Sequence, residues 1–225
     1  MKRVLLIGPI LTRSGYGEQA RFALRALRSR PDLFDVYIHP IQWGHTSWLF
    51  EDTEERAWID QTIEKSLAYA NNGGFFDMTL QVTIPLEWKT SNGQTIDIGY
   101  TAGIETTKVA HEWLEHGNAL DRIIVVSEHA KKVYEETNYD VQNNDTGQQH
   151  TLSLQTPVDV VNYPVKKYEN LPELDLDVTT DFNFLTIAQW APRKNLDNTI
   201  KWFVEEFIDN PDVGLVVKTF LKGGC

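Results

Sequence analysis

Four short stretches of this 225-residue chain hold the residues whose types and spacing could do chemistry. The first is Gly8-Pro9-Ile10-Leu11-Thr12-Arg13-Ser14-Gly15-Tyr16-Gly17, which runs from an apolar segment into an amphipathic one at Glu18. Glycines at such a place let the backbone approach an anion while a helix N-terminus offers it unpaired N–H groups. Gly15 and Gly17 are therefore candidate phosphate contacts, with a plain tight turn as the other reading. Gly15-x-Gly17-x-x-Ala20 is a tolerated variant of the dinucleotide pattern, and no Gly-Lys-Ser/Thr marks a Walker loop. The second stretch, Gln189 to Leu196, sets Arg193 and Lys194 just ahead of a helical pattern. There a diphosphate would meet both cations and the helix dipole; otherwise the pair is a solvated turn with Asn195 as helix cap.

The third stretch, Ile98 to Thr107, opens from a strand ending near Tyr100 into a glycine-containing turn with Glu105 at its mouth. A carboxylate at the carboxyl end of a strand suits a hydroxylated ligand, or it caps the next helix. In the fourth, Val125-Val126-Ser127-Glu128-His129, Ser127 is a helix N-cap by position and stands at the same kind of strand end. Other patterns fail on spacing. His111 and His116 are five residues apart, roughly 140° around a helix, so they do not form a zinc-protease box. No serine sits in a G-x-S-x-G elbow. Trp43 and Trp48, beside Gly44 and His45, are the expected exposed tryptophans.

The elements that must position these residues alternate. Continuous or alternating apolar runs predict strands at Val4–Ile7, Phe34–Ile38, Asp77–Ile84, Asp97–Tyr100, Arg122–Val126, Val158–Asn162, Phe182–Ala188 and Val213–Lys218. Helical periodicity falls at Glu18–Arg28, Glu54–Tyr69, Val109–Leu114, Glu128–Thr137 and Leu196–Ile208. This alternation predicts an α/β fold with a doubly wound parallel sheet. Asn138–His150, polar and rich in Asn and Gln, reads as an exposed loop. Lys166–Asp181, with Pro172 and an excess of acidic side chains, reads as a linker. The expected layout is a domain over 1–165, a linker over 166–181, and the opening of a second domain over 182–225.

Lys and Arg number 21 against 32 Asp and Glu, a net charge of −11, so the overall field repels nucleic acid and anionic membranes. A lone cysteine, Cys225, excludes an internal disulfide framework and a multi-cysteine zinc site, and no metal is expected. No apolar run approaches the roughly 20 residues of a membrane span, and the expected compartment is the cytoplasm. The sequon Asn144-Asp145-Thr146 carries no weight without a secretory signal.

Taken together and in order, these stretches resemble the GT-B fold retaining glycosyltransferases of the family-four group. Gly15-Tyr16-Gly17-Glu18-Gln19-Ala20-Arg21 is similar to that family's glycine-rich opening loop, and Tyr100 to Thr106 with Trp113 to its acceptor-domain stretch. Arg122 to Glu128 resembles its strand ending in Ser before a helix, Val158 to Val165 its last strand before the crossover, and Phe184 to Asn195 the strand and basic turn that open its nucleotide-sugar domain. Ala188-Gln189 stands where the family usually has Gly-Arg, and the family's donor-binding carboxylate motif is not within these residues.

The resemblance implies a Rossmann-like acceptor-side domain followed by the start of a nucleotide-sugar-binding domain, in a truncated chain that is inactive alone. It implies transfer of a sugar, with retention, from a nucleotide-sugar to a glycan, lipid-linked or protein acceptor. Neither metal nor other cofactor is implied. Lys194 and Arg193 would neutralise the leaving diphosphate, N–H groups around Gly15 and Gly17 would contact a phosphate region, and Glu105 would orient sugar hydroxyls, with Tyr100 and Ser127 on the substrate. The alternative is a non-catalytic binding or assembly module with the same fold. A Rossmann oxidoreductase is disfavoured by His39-Pro40, where an acidic ribose ligand would stand.

Overall fold

The computed structural model describes residues 1–91, 93–142, 147–165, 167–174 and 176–221. The sequon Asn144-Asp145-Thr146 and Cys225 lie outside the described residues, as do parts of the Asn138–His150 and Lys166–Asp181 stretches. The chain divides into two compact units, Met1–Val165 and Lys166–Cys225.

The first unit is α/β, with a six-stranded, all-parallel sheet flanked by helices in a Rossmann-like arrangement. Its strands are β1 (Lys2–Gly8), β2 (Phe34–Pro40), β3 (Met78–Val82), β4 (Ile96–Tyr100), β5 (Arg122–Val125) and, later in the chain, β8 (Val158–Val160). Their order is β2-β1-β3-β4-β5-β8. Val4 pairs with Val36 on one side and Met78 on the other, and Leu6 with Ile38 and Leu80. The run Val4-Leu5-Leu6-Ile7 is apolar because β1 lies inside the sheet with both faces covered; Val4 and Leu6 are fully buried. After β1 the chain adds β2 on one side, then returns to add β3 on the other. The strand order therefore reverses between β1 and β3, where a doubly wound sheet leaves a crevice beyond the carboxyl ends of its strands.

The helices are α1 (Gly15–Arg28), α2 (Glu54–Asn71), α3 (His111–Asn118) and α4 (Glu128–Glu136). One core joins Val4, Leu6, Leu24, Ile38, Ile59 and Val82. A second joins Leu114, Ile123, Val125, Ala130, Val133 and Tyr134. Side-chain oxygens of Ser14, Thr53 and Ser127 accept hydrogen bonds from the first-turn N–H groups of α1, α2 and α4, which fixes where each helix begins. The Ser14 cap starts α1 at Gly15, one turn before the apolar periodicity becomes visible at Glu18.

The stretch expected as a loop after α4 is instead an antiparallel hairpin of β6 (Asn138–Gln142) and β7 (Gln149–Ser153), with Asn138 opposite Ser153 and Gln142 opposite Gln149. Its Asn and Gln residues hide a strand because the backbone ladder, not an apolar face, holds most of it. Tyr139 and Leu152, directly opposed, are the pair that packs on the second core.

The second unit holds β9 (Phe182–Trp190), a 3₁₀ turn at Pro192–Lys194, α5 (Leu196–Phe207) and β10 (Val213–Leu221). The two strands pair in parallel, Phe182 with Val213 through Trp190 with Leu221, in a sheet of their own. Phe184 meets Phe203 and Phe207 at 6.0 and 5.6 Å between ring centroids, which seats α5 on the sheet.

Candidate functional site: a crevice at the β1/β3 reversal

Because β1, β3, β4, β5 and β8 are parallel, the segments that follow them emerge at one edge of the sheet. The β1–α1 loop is held by a directional chain of hydrogen bonds. Thr12 Oγ1 donates to the Pro9 carbonyl at 2.9 Å. With its one proton so used, it accepts from Ser14 Oγ at 2.8 Å. Ser14 Oγ in turn accepts the Gly17 N–H at 2.9 Å. The one Ser14 proton is thereby committed inside the loop.

Arg21, only 6% exposed, completes the loop from below. Its Nη1 donates to the carbonyls of Ile10 and Thr12 at 2.8 and 3.0 Å, and its Nε and Nη2 to Glu18 Oε2 at 3.0 and 2.8 Å. The two glycines have different jobs. A Cβ on Gly17 would lie 2.2 Å from the Thr12 carbonyl oxygen, so glycine there is a requirement of close packing. A Cβ on Gly15 would meet nothing within 4 Å. The Gly17 N–H is taken by Ser14, and the N–H groups of Gly15 and Tyr16 have no hydrogen-bond partner among the described residues.

Tyr16 ties this helix end to β4. Its hydroxyl lies 2.9 Å from Thr101 Oγ1 and accepts the Ala102 N–H at 3.2 Å, while its ring meets Trp43 at 4.4 Å between centroids. Burial, with Glu87 nearby, pushes the Tyr16 phenol up. Trp43 belongs to a segment that the β1–α1 loop holds in place. Arg13 N–H donates to Ser47 O and Leu49 N–H to Leu11 O, each at 2.8 Å, and Arg13 pairs with Glu51 at 2.5 Å. Trp48, 38% exposed, bridges Thr12.

On the side of β8, Tyr163 donates to Gln19 Oε1 at 3.1 Å, and Asn162 Nδ2 donates to the Val126 carbonyl at 3.0 Å. Gln19 is 1% exposed, yet its Nε2 has no partner; Thr83, 2% exposed and just past β3, has an unpartnered Oγ1. Burial of such groups without a partner costs about 1–3 kcal/mol each.

Gly15, Gly17, Tyr100, Glu105 and Ser127 thus all sit at one sheet edge, and the Tyr16 contact joins the Gly15–Gly17 helix end to the segment that begins at Thr101. Their surroundings differ. Tyr100 is a core residue, 5% exposed, with its phenol pushed up to about 12 by burial and by Tyr163. Glu105 is exposed in the segment after β4. Ser127 Oγ caps α4 by accepting the Ala130 N–H at 3.1 Å.

Arg193 and Lys194 are exposed on the 3₁₀ turn that precedes α5 in the second unit. Asn195 takes the left-handed conformation at φ 52° and does not cap α5 with its side chain; its Oδ1 accepts from Asn198 Nδ2 at 2.8 Å. Gln19, Thr83 and Tyr163 escape a reading of motifs. The signal available was a glutamine inside the apolar stripe of α1, next to Ala20 and ahead of Ala23 and Leu24.

Among the described residues no group of three or more His, Cys, Asp or Glu side chains is set to hold a metal ion, and no helix is long and apolar enough to cross a membrane. Chemically, the crevice offers two helix-terminal N–H groups, phenol and amide groups and an indole wall. No family model matches the chain, and no curated protein matches it.

Proposed function

We propose that the chain is the acceptor-side unit, with the opening of the nucleotide-sugar unit, of a retaining glycosyltransferase of GT-B type. The observation that carries this reading is the reversal of strand order between β1 and β3, where the N-terminus of α1 and the hydroxyls of Thr101 and Tyr163, just past β4 and β8, stand at one sheet edge. The parallel β9–α5–β10 unit with Arg193 and Lys194 ahead of α5 supports the donor half of the reading.

In this mechanism Lys194, aided by Arg193, neutralises the departing diphosphate. Glu105 orients hydroxyls; the acceptor hydroxyl oxygen bonds to the anomeric carbon on the face from which the nucleoside diphosphate leaves, and its proton passes to the departing diphosphate oxygen. The chemistry is positioning and electrostatics: contacts that strengthen as charge develops on the leaving group lower the barrier.

The test is release of nucleotide from a panel of UDP-, GDP- and ADP-sugars, with simple glycosides as acceptors, on the longest protein the reading frame encodes. Activity with at least one donor is expected, and Lys194→Ala should lower turnover roughly 10²–10³-fold, Arg193→Ala less. Normal turnover in a folded Lys194→Ala protein removes the donor assignment. Ligand binding with no nucleotide release from any donor favours the non-catalytic module, for which Ala188-Gln189 is the feature in the sequence.

A further inference from the structure

We propose that Asn72 is a site of spontaneous backbone rearrangement, at which the chain converts through a cyclic imide to isoaspartate and the end of α2 is released. The inference owes nothing to the glycosyltransferase reading and survives its loss.

Asn72-Gly73 is one of two Asn-Gly pairs in the chain; the other begins at Asn92, outside the described residues. The chemistry is intramolecular. The Gly73 amide nitrogen gives up its proton and bonds to Asn72 Cγ, the Cγ–Nδ2 bond breaks, and Nδ2 departs with the proton as ammonia. Water then opens the ring at either carbonyl. Cleavage at Cγ leaves aspartate, and cleavage at the former peptide carbonyl leaves isoaspartate, whose backbone runs through Cβ and is one methylene longer. Glycine at 73 puts no Cβ in the way of the nitrogen and leaves the backbone free to turn. Asn71 lies inside the helix and is followed by a residue with a side chain.

The local structure decides when this happens. Asn72 and Gly73 are exposed just past α2, with Gly73 left-handed at φ 72°. The Gly73 N–H donates to the Ala70 carbonyl at 3.0 Å and the Gly74 N–H to that of Tyr69 at 2.9 Å, the paired bonds of a Schellman end. Asn72 Nδ2 donates to the Ala68 carbonyl at 2.8 Å. In this form both the nucleophile and the leaving group are committed to the helix. Reaction therefore passes through an opened last turn, and helix ends open at low cost.

Closure after the reaction is blocked. Gly74 sits so close to Tyr69 that an added Cβ would lie 2.3 Å from its ring. The Tyr69 hydroxyl accepts from Arg3 Nη1 and donates to the Phe75 carbonyl, both at 2.9 Å, which holds that ring in place. An extra methylene between Asn72 and Gly73 carries Gly73 and Gly74 out of register with both carbonyls. Either product also sets a carboxylate at the negative end of the α2 dipole, where the last turn has no basic residue. The change runs one way.

Incubation of the 225-residue chain in mildly alkaline buffer tests this, with the peptide of residues 67–76 as the unfolded reference. Isoaspartate is read by fragmentation mass spectrometry and by methyl transfer from labelled S-adenosylmethionine with an isoaspartyl methyltransferase. Residue 72 should convert in the folded chain about ten- to hundredfold slower than in the peptide, the cost of opening two hydrogen bonds of ordinary net strength. Tyr69→Phe, which frees Phe75, should hasten conversion, and Asn72→Gln, at an exposed position, should abolish it. Amide exchange at Gly73 and Gly74 should quicken in the converted protein. The inference falls if residue 72 remains asparagine after about a hundredfold the conversion time of the peptide. It falls equally if the folded chain converts as fast as the peptide, if Tyr69→Phe leaves the rate unchanged, or if exchange at the two glycines is the same before and after conversion.

Discussion

The two units use the same βαβ grammar and reach opposite degrees of closure. In the first, β1 has neighbours on both sides, and Val4, Leu6, Ile10 and Val82 are fully buried. In the second, among the described residues, β9 and β10 have one partner each, and Leu196 is the one buried residue of α5. Leu185, Ile187, Trp202 and Ile208 remain 58–73% exposed. Parallel strands are stable when helices cover both faces and neighbours saturate both edges, and two strands with one helix supply neither. The contrast shows that secondary structure can be well formed where tertiary burial is slight, so the units should respond differently to the same kind of change.

The largest difference is expected from core truncation. Leu6→Ala should destabilise the first unit by about 2–5 kcal/mol, while Ile187→Ala, at an exposed position, should stay within about 0.5 kcal/mol. Urea denaturation of both variants checks this; equal losses would abolish the contrast. Next comes Arg21→Met, which leaves the Ile10 and Thr12 carbonyls without a donor, at about 1–3 kcal/mol for each. Melting temperatures should fall for this variant and barely move for Arg193→Met, whose side chain is exposed.

Gly17→Ala sharpens the comparison within one loop. It forces a methyl against the Thr12 carbonyl and should cost about 1–3 kcal/mol. Gly15→Ala enters open space at the first helical position and should stabilise by about 0.4–1 kcal/mol through the unfolded chain. Equal effects in thermal melts would mean that the loop adapts.

The mildest probe is alkali. Seven of the eight tyrosines lie before Lys166, and burial raises the phenols of Tyr16, Tyr100, Tyr134 and Tyr163, that of Tyr100 to about 12. An acid group whose folded pKa is raised stabilises the fold fully below its unfolded pKa and loses that contribution as pH rises. Stability of the first unit should therefore fall between pH 10 and about 12, with phenolate absorbance delayed in the folded protein and appearing on unfolding. Absorbance that rises at pH 10 without delay would contradict the burial of these rings.

Much of the fold was legible because its signals are local. The apolar run at Val4 to Ile7, the cap at Ser127 and the stripe of α1 each follow from a few adjacent residues; the Ser14 cap, one turn ahead of that stripe, was not read from the sequence. The β6–β7 hairpin was not legible, since a ladder of backbone hydrogen bonds leaves no mark on side-chain type, and Asn and Gln favour turns when read alone. In the crevice the glycines and Glu105 were visible as types at strand ends. The separate roles of Gly15 and Gly17 depend on a carbonyl that only the folded loop brings near. Gln19 and Tyr163 are 144 positions apart and meet because β8 lies beside β5. No spacing rule reaches that far.

The Arg21 clamp has a kinetic consequence. A loop whose carbonyls are held by a buried guanidinium and whose hydroxyls form one directional chain has no second arrangement of comparable energy, so the form that receives ligand is the form already populated. Apparent affinity then carries no penalty for a rare open state. Association at the crevice should be a single encounter, with an observed rate that climbs in proportion to ligand concentration and never levels off at an isomerisation limit. Tighter and weaker ligands should differ in how long they stay, not in how fast they arrive.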